Sequence, residues 1–148
     1  MNDLKLIDFI NRDGLNSKEQ GDLILFDYSQ ELSSKFDWDL VSLNARGIVF
    51  NKVTGELVAR PFSKFFNYEQ LRGEAGERLP ESFRPNTFGA FRALEKMDGS
   101  MALVYFYDGK WNVNTRGSFA SEQAIWATKW LNKNLKTENM DSNLTYLF

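Results

Sequence analysis

Two residue types are missing from this 148-residue chain altogether, cysteine and histidine. Their absence excludes disulfides, thiolate nucleophiles, Cys/His zinc sites, serine–histidine hydrolase chemistry and acid–base catalysis by an imidazole. Lysine, hydroxyls and carboxylates are what remain for covalent chemistry. No apolar run approaches the length that crosses a bilayer. The first residues, MNDLKLIDFINRDG, carry acids where a signal or transit peptide carries basic residues, so a cytoplasmic location and no membrane partner are expected. Neither sign of charge is in excess: 18 basic and 20 acidic side chains leave a net charge of -2. A phosphate-bearing ligand would therefore have to be held by a local concentration of Lys and Arg.

What is present, 43% hydrophobic and 26% charged residues, is the composition of one soluble domain large enough to bury a core. DLKLIDFINR spaces Leu4, Ile7 and Ile10 at helical intervals ahead of Asp13-Gly14 and predicts a short amphipathic helix. GDLILFDYS reads as a strand, and SSKFDWDLVSLN as loop with a turn of strand. In ARGIVFNKVTGELVARPF two β-rich arms flank the turn Lys52–Gly55, the pattern of a hairpin. MALVYFY, then Asp108-Gly109, then KWNVNTRG is a second hairpin, because Asp-Gly accepts the positive φ angles of a type I′ turn.

SFASEQAIWATKWLNKNL opens with capping serines and continues as a helix. The last residues, LTYLF, are strand-like and apolar enough to need a cover. Residues 72–90 collect Gly and Pro and read as an irregular connection between two halves. No regular βαβ alternation appears, so an α+β domain of antiparallel hairpins with two or three flanking helices is expected over residues 1–148.

The residues suited to chemistry stand at strand ends. EKMDGS, residues 95–100, places Lys96 ahead of a turn-forming Asp98-Gly99-Ser100. By itself this reads as a solvated lysine beside a turn. Three further cations occupy comparable places: Arg46 opens a strand, Lys64 follows Arg60-Pro61-Phe62-Ser63, and Arg116 closes the second hairpin. Each is able to point into a shared pocket, although strand-end arginines usually stand in water. Phe65-Phe66 is more often core than a stacking platform. A lysine nucleophile has to be discharged first, since its ordinary pKa is about 10.4. Apolar Phe91, Leu94 and Met97, nearby Lys64 or Arg116, and a magnesium ion are the groups expected to do so. Gly99 permits close approach of backbone and ligand, and Asp98 is expected to shape the turn.

At these residues the chain resembles a known family. EKMDGS is similar to the Lys-x-Asp-Gly motif of ATP-dependent polynucleotide ligases and capping enzymes. ARGIVFN, ARPFSKFFNYE, EKMDGS and NTRGSFASEQA, in this order and spacing, resemble the bacteriophage tRNA-repair type of ATP-dependent RNA ligase. The resemblance implies a partial nucleotidyltransferase domain of ATP-grasp-like kind, ATP and Mg2+ as cofactors, and RNA with 5′-phosphate and 3′-hydroxyl ends, tRNA-like RNA among them, as partner. It implies that Lys96 attacks the α-phosphate of ATP, that AMP passes to the RNA 5′-phosphate, and that a 3′-hydroxyl then displaces AMP. Arg46, Lys64, Phe66 and Arg116, with Asp98 and Gly99 of the motif, would line the nucleotide pocket. Arg116 stands where the family is expected to hold a lysine, and a planar guanidinium grips pairs of oxygens rather than acting as a point charge.

In the family a strand like LTYLF leads into a ribose-binding glutamate, then a metal-binding glutamate motif and a Lys-x-Lys motif, none of which is in this sequence. Three readings follow. The chain represents the N-terminal part of an RNA ligase, or binds ATP or an RNA end without chemistry, or is a remnant completed by a second chain.

Overall fold

A computed structural model of the chain describes residues 4–84 and 94–148. The first helix, α1 (Leu6–Phe9), is a single turn held at its start by the Asp8 carboxylate, which accepts from the Lys5 N–H. Its buried side chains are Leu6 and Phe9, while Ile7 and Ile10 face water. The stripe expected from Leu4, Ile7 and Ile10 is therefore displaced by one residue. A positive φ of 56° at Asn11 then turns the chain.

Strand β1 (Leu15–Gln20) is polar and exposed, and it escapes pattern reading because it is an edge strand. It pairs antiparallel with β2 (Leu23–Tyr28), from Leu15 opposite Tyr28 to Gln20 opposite Leu23. β2 is covered on both faces, so its apolar residues run on without alternation. The segment expected to be loop is instead helical: α2 (Gln30–Lys35) and α3 (Leu40–Asn44). Ser29 caps the first through the N–H of Leu32, and Asp39 and Ser42 cap the second reciprocally. Phe36, with φ 54°, separates them.

β3 (Arg46–Asn51) and β4 (Leu57–Ala59) form the expected hairpin, completing a sheet of order β1-β2-β3-β4. The Asn51 side chain closes its turn by accepting from the N–H groups of Val53 and Thr54. The connection that follows holds a short α4 (Glu74–Glu77) between two 3-10 turns, Tyr68–Leu71 and Glu81–Phe83. The rest of the expected irregular stretch, residues 85–90, and Phe91 lie outside the described residues.

β5 (Ala102–Tyr107) and β6 (Lys110–Thr115) are joined by Asp108 and Gly109 at φ 51° and 72°, the two positive values a type I′ turn requires. Ser121 caps α5 (Glu122–Asn134), and β7 (Tyr146–Leu147) returns to pair antiparallel with β5. The second sheet thus has the order β6-β5-β7.

The layers follow from which faces are apolar. Leu6 and Phe9 of α1 cover Ile24, Phe26, Ile48 and Phe50 on one face of the first sheet. Its other face, Leu23, Leu25, Val49 and Ala59, meets Tyr105 of β5. Behind the second sheet, Leu131 of α5 packs on Ala102, Val104 and Val113. Polar ties fix the two sheets against one another: Asn51 Nδ2 donates to the Tyr107 hydroxyl at 2.9 Å, and the Arg60 N–H to Thr145 Oγ1 at 3.0 Å. The outcome is an α+β domain of antiparallel sheets with flanking helices.

Candidate functional site

Asn44, the last residue of α3 and 6% exposed, anchors the loop that carries Lys64. Its side-chain oxygen accepts from Arg60 Nη2 at 3.1 Å and Ser63 Oγ at 2.8 Å, and its amide donates to the Leu40 carbonyl at 2.7 Å. The Lys64 N–H donates to the Leu43 carbonyl at 2.6 Å. The loop is thereby folded back onto α3. The Lys64 ammonium then lies 4.3 Å from the centre of the Phe66 ring and 5.8 Å from that of Trp38, and donates to the Phe65 carbonyl. Burial, reinforced by the charges of Arg46 and Arg116, pushes the Lys64 pKa below the ordinary lysine value.

Arg46 opens β3 directly opposite Asp27 of β2, at a register shift between Phe26 and Asp27. Its guanidinium carbon is 4.5 Å from the centre of the Phe65 ring, and its Nε and Nη1 are buried with no hydrogen-bond partner among the described residues. Arg116 sits in the tight turn after β6, which the Thr115 N–H closes onto the Ser118 carbonyl at 2.9 Å. Its Nε donates to Asp27 Oδ2 at 3.1 Å, Nη1 donates to the Tyr28 hydroxyl at 3.2 Å, and the guanidinium lies over the Tyr28 ring at 4.9 Å.

The two Arg-Gly pairs touch where Gly47 packs on the backbone of Arg116. Gly47 has φ +92°, and a Cβ placed there would meet the Arg116 backbone at 3.0 Å. Gly47→Ala is expected to cost roughly 1–3 kcal/mol in urea unfolding, because the Arg116 turn must be pushed away. An unchanged unfolding midpoint would contradict this account of the contact.

Asp27 is 8% exposed and stands between Arg46 and Arg116. Burial pushes its carboxyl up to about 6, against the downward pull first of Arg116 and then of Arg46. Among the described residues its Oδ1 has no side-chain or backbone partner at hydrogen-bond distance, nor does the buried indole N–H of Trp38. Two arginines thus face one carboxylate, with the Lys64 ammonium close enough to feel both of their charges, and among the described residues buried polar atoms on Arg46 are left unsatisfied. Such an arrangement is suited to an anion that brings several oxygens at once.

The structure brings Arg46, Lys64, Phe66 and Arg116 together and leaves the other sequence-predicted residues apart. Lys96 is not sheltered: its side chain is 83% exposed and paired with the equally exposed Asp98. Leu94 and Met97, expected as apolar cover, are each 84% exposed. Asp98 therefore holds the Lys96 ammonium rather than only shaping a turn. Gly99, at φ +151°, has open space where a side chain would be. Phe66 packs between Phe36 and Trp38 at ring distances of 5.1 and 5.6 Å, which makes it the support of the Lys64 ammonium. Sequence reading passed over Asp27, Tyr28 and Trp38. The signal for Asp27 was legible, a single charge at the end of the apolar run LILFDY. Among the described residues no group of three or more acidic side chains assembles as a ready-made metal site.

Fold and site together define an α+β domain with a cluster of cationic side chains built where two antiparallel sheets meet. The chain belongs to the RNA ligase family, whose profile matches residues 44–146. It is 28% identical over 156 aligned positions to an RNA ligase of Rhodothermus phage RM378, covering 96% of this chain and 34% of that protein. Against a putative RNA ligase of Thermovibrio ammonificans it is 31% identical, over 80% of this chain and 29% of the relative. A putative bifunctional polynucleotide kinase/RNA ligase of Autographa californica nuclear polyhedrosis virus is 34% identical over 55% of the chain and 12% of its own length. The chain spans about a third or less of the length of these relatives.

Proposed function

We propose that these residues bind ATP through its phosphates and carry the nucleophile of an ATP-dependent RNA ligase. The observation that supports this most is the convergence of Arg46, Lys64 and Arg116, from three segments distant in sequence, around guanidinium atoms with no partner among the described residues. Cations fixed before the ligand arrives stabilise the charge that builds on a triphosphate as its ester bond breaks.

In the proposed reaction the uncharged Lys96 Nζ attacks the α-phosphorus of ATP. The bond to the bridging oxygen breaks, pyrophosphate leaves, and a lysyl-AMP phosphoramidate forms. An oxygen of the RNA 5′-phosphate then takes the AMP and releases the lysine, and the RNA 3′-hydroxyl attacks the activated phosphate and expels AMP. Lys96 must first part from Asp98 and lose its proton, and approach to the Arg46–Lys64–Arg116 charges favours that loss. Mg2+, when bound, would neutralise phosphate charge.

Exposure of Lys96 favours a second reading, in which the chain holds ATP or an RNA end without the covalent step. Incubation with ATP labelled in the α-phosphate and Mg2+, followed by denaturing electrophoresis, separates the two. The first reading expects acid-labile label on the wild type, none on Lys96→Ala, and equal binding of inorganic tripolyphosphate by both. Binding without label on either supports the second. Folded protein that neither binds nor labels overturns both.

A further inference from the structure

Strand β6 is an edge of the second sheet, and its register with β5 decides which of its main-chain groups are free. Ala102 exchanges both of its hydrogen bonds with Phe148, so its backbone faces β7, and the residues of β5 that face β6 are Leu103, Tyr105 and Tyr107. Their partners Asn114, Asn112 and Lys110 point back into the sheet, which leaves Trp111, Val113 and Thr115 with N–H and C=O turned outward. Thr115 is satisfied by its exchange with Ser118. The outward groups of Trp111 and Val113 have no backbone partner among the described residues.

This edge lines a cavity of about 870 Å3. Residues 110–113 of β6 all contribute to it, so it runs along the edge and not across one face. The first sheet covers one face of the second and α5 the other, and the edge is flanked accordingly by the β1–β2 turn at residues 20–23 and by Thr128 and Asn132 of α5. Leu23, at this end of β2, is four residues from Asp27 of the cation cluster, about 13 Å at the usual strand rise, so the groove is a separate place. Edge strand β1 is guarded by Lys18 and Glu19, charges that discourage pairing. At the free positions of β6 the side chains are apolar instead.

We propose that the groove binds an extended segment of a partner protein, which adds a strand to β6. Alternating main-chain donors and acceptors along an edge are matched group for group by another main chain. The β6 of a second copy cannot supply it, because that edge is recessed between the same two walls. The side chains of the incoming strand fall alternately on the two faces of the sheet. Those beside Trp111 and Val113 meet an apolar face, since Trp111 packs on Phe106 and Tyr146 and Val113 on Leu131. The charged residues of the groove are Asp22, Asp108 and Lys110, two acids against one base. A partner segment with apolar residues at alternate positions and basic ends fits this lining, and a nucleic-acid strand does not.

Amide hydrogen exchange of the full chain, read residue by residue by NMR with and without the peptide Ac-KVTVTVK-NH2, tests the proposal. In the free chain the Trp111 and Val113 amides are expected to exchange at least about 10-fold faster than those of Asn112 and Asn114, and the peptide should slow them by a similar factor. The same peptide N-methylated at its Val and Thr amides should not slow them, and Ac-EVTVTVE-NH2 should bind about 10-fold more weakly. Val113→Pro removes an N–H that the β5 ladder does not use, a change an edge strand tolerates, and should weaken the basic peptide about 10-fold. Should that variant fail to fold, the methylated peptide makes the same comparison on the wild-type chain. Trp111 and Val113 amides already as protected as their neighbours in the free chain, no binding of the basic peptide, or binding that leaves both amides unchanged would each overturn the proposal. Protection that grows with protein concentration alone would give the edge to a second copy, and protection by oligouridylate in place of the peptide would give it to nucleic acid, and either result overturns it as well.

Discussion

Arg46→Ala is expected to weaken binding of tripolyphosphate and ATP by roughly 100-fold while moving the unfolding free energy by less than about 1 kcal/mol. The two effects separate because Arg46 satisfies little within the protein. Its Nε and Nη1 are buried without partners among the described residues, and its charge disfavours the ammonium of Lys64. What it does stabilise is the Asp27 carboxylate, together with a cation–π contact to Phe65. Removing it relieves one repulsion and loses one attraction, so stability changes little. A bound phosphate would satisfy the two nitrogens at once, and that charge-assisted pair is what alanine forfeits. Titration calorimetry and urea unfolding on the same preparations check the pair of values. A loss of several kcal/mol in stability with binding intact would show that Arg46 is structural.

Asp27 is expected to make both stability and phosphate binding depend on pH between about 4 and 6. Its carboxyl, ordinarily near 3.8, is pushed up to about 6 in the folded chain. The folded state therefore holds this proton more tightly than the unfolded state. The associated stability is fully present below about pH 4 and is lost as pH rises through 6, by on the order of 3 kcal/mol. Asp27→Asn should flatten that slope, as read from unfolding free energies at pH 4, 5, 6 and 7. For binding the sign is the same. Protonated Asp27 leaves Arg46 and Arg116 without a competing anion, so tripolyphosphate is expected to bind more tightly at pH 5.5 than at 7.5. Titration of the phosphate itself works against this trend, and Asp27→Asn isolates the contribution of the carboxyl. Identical pH profiles for wild type and variant would remove Asp27 from the site.

Much of the fold was legible because it is encoded locally. The second hairpin rests on two residues that accept positive φ, and α5 on a serine cap and an apolar face. The errors share one cause. β1 has no apolar alternation because it lies at a sheet edge, and α2 and α3 are too short for periodicity to outweigh Asp, Trp and Phe in the segment. In α1 one turn of helix could be fitted by two stripes, and packing on Phe26 and Phe50 selects Phe9 over Ile7 and Ile10.

The candidate site divides in the same way. By itself the sequence determined the residue types that bear on chemistry: no thiol or imidazole, cations beside glycines, and a Lys-x-Asp-Gly motif in the company of three others. Those are properties of composition and order along one chain. Only the tertiary structure decided which of them meet. The α3 cap and Asn44 fold the Lys64 loop back, Gly47 admits the Arg116 turn, and the pairing of β2 with β3 sets Asp27 against Arg46. It also left Lys96 in water beside Asp98. Burial and charge act through space between segments far apart in the chain, and spacing along the sequence carries no measure of either.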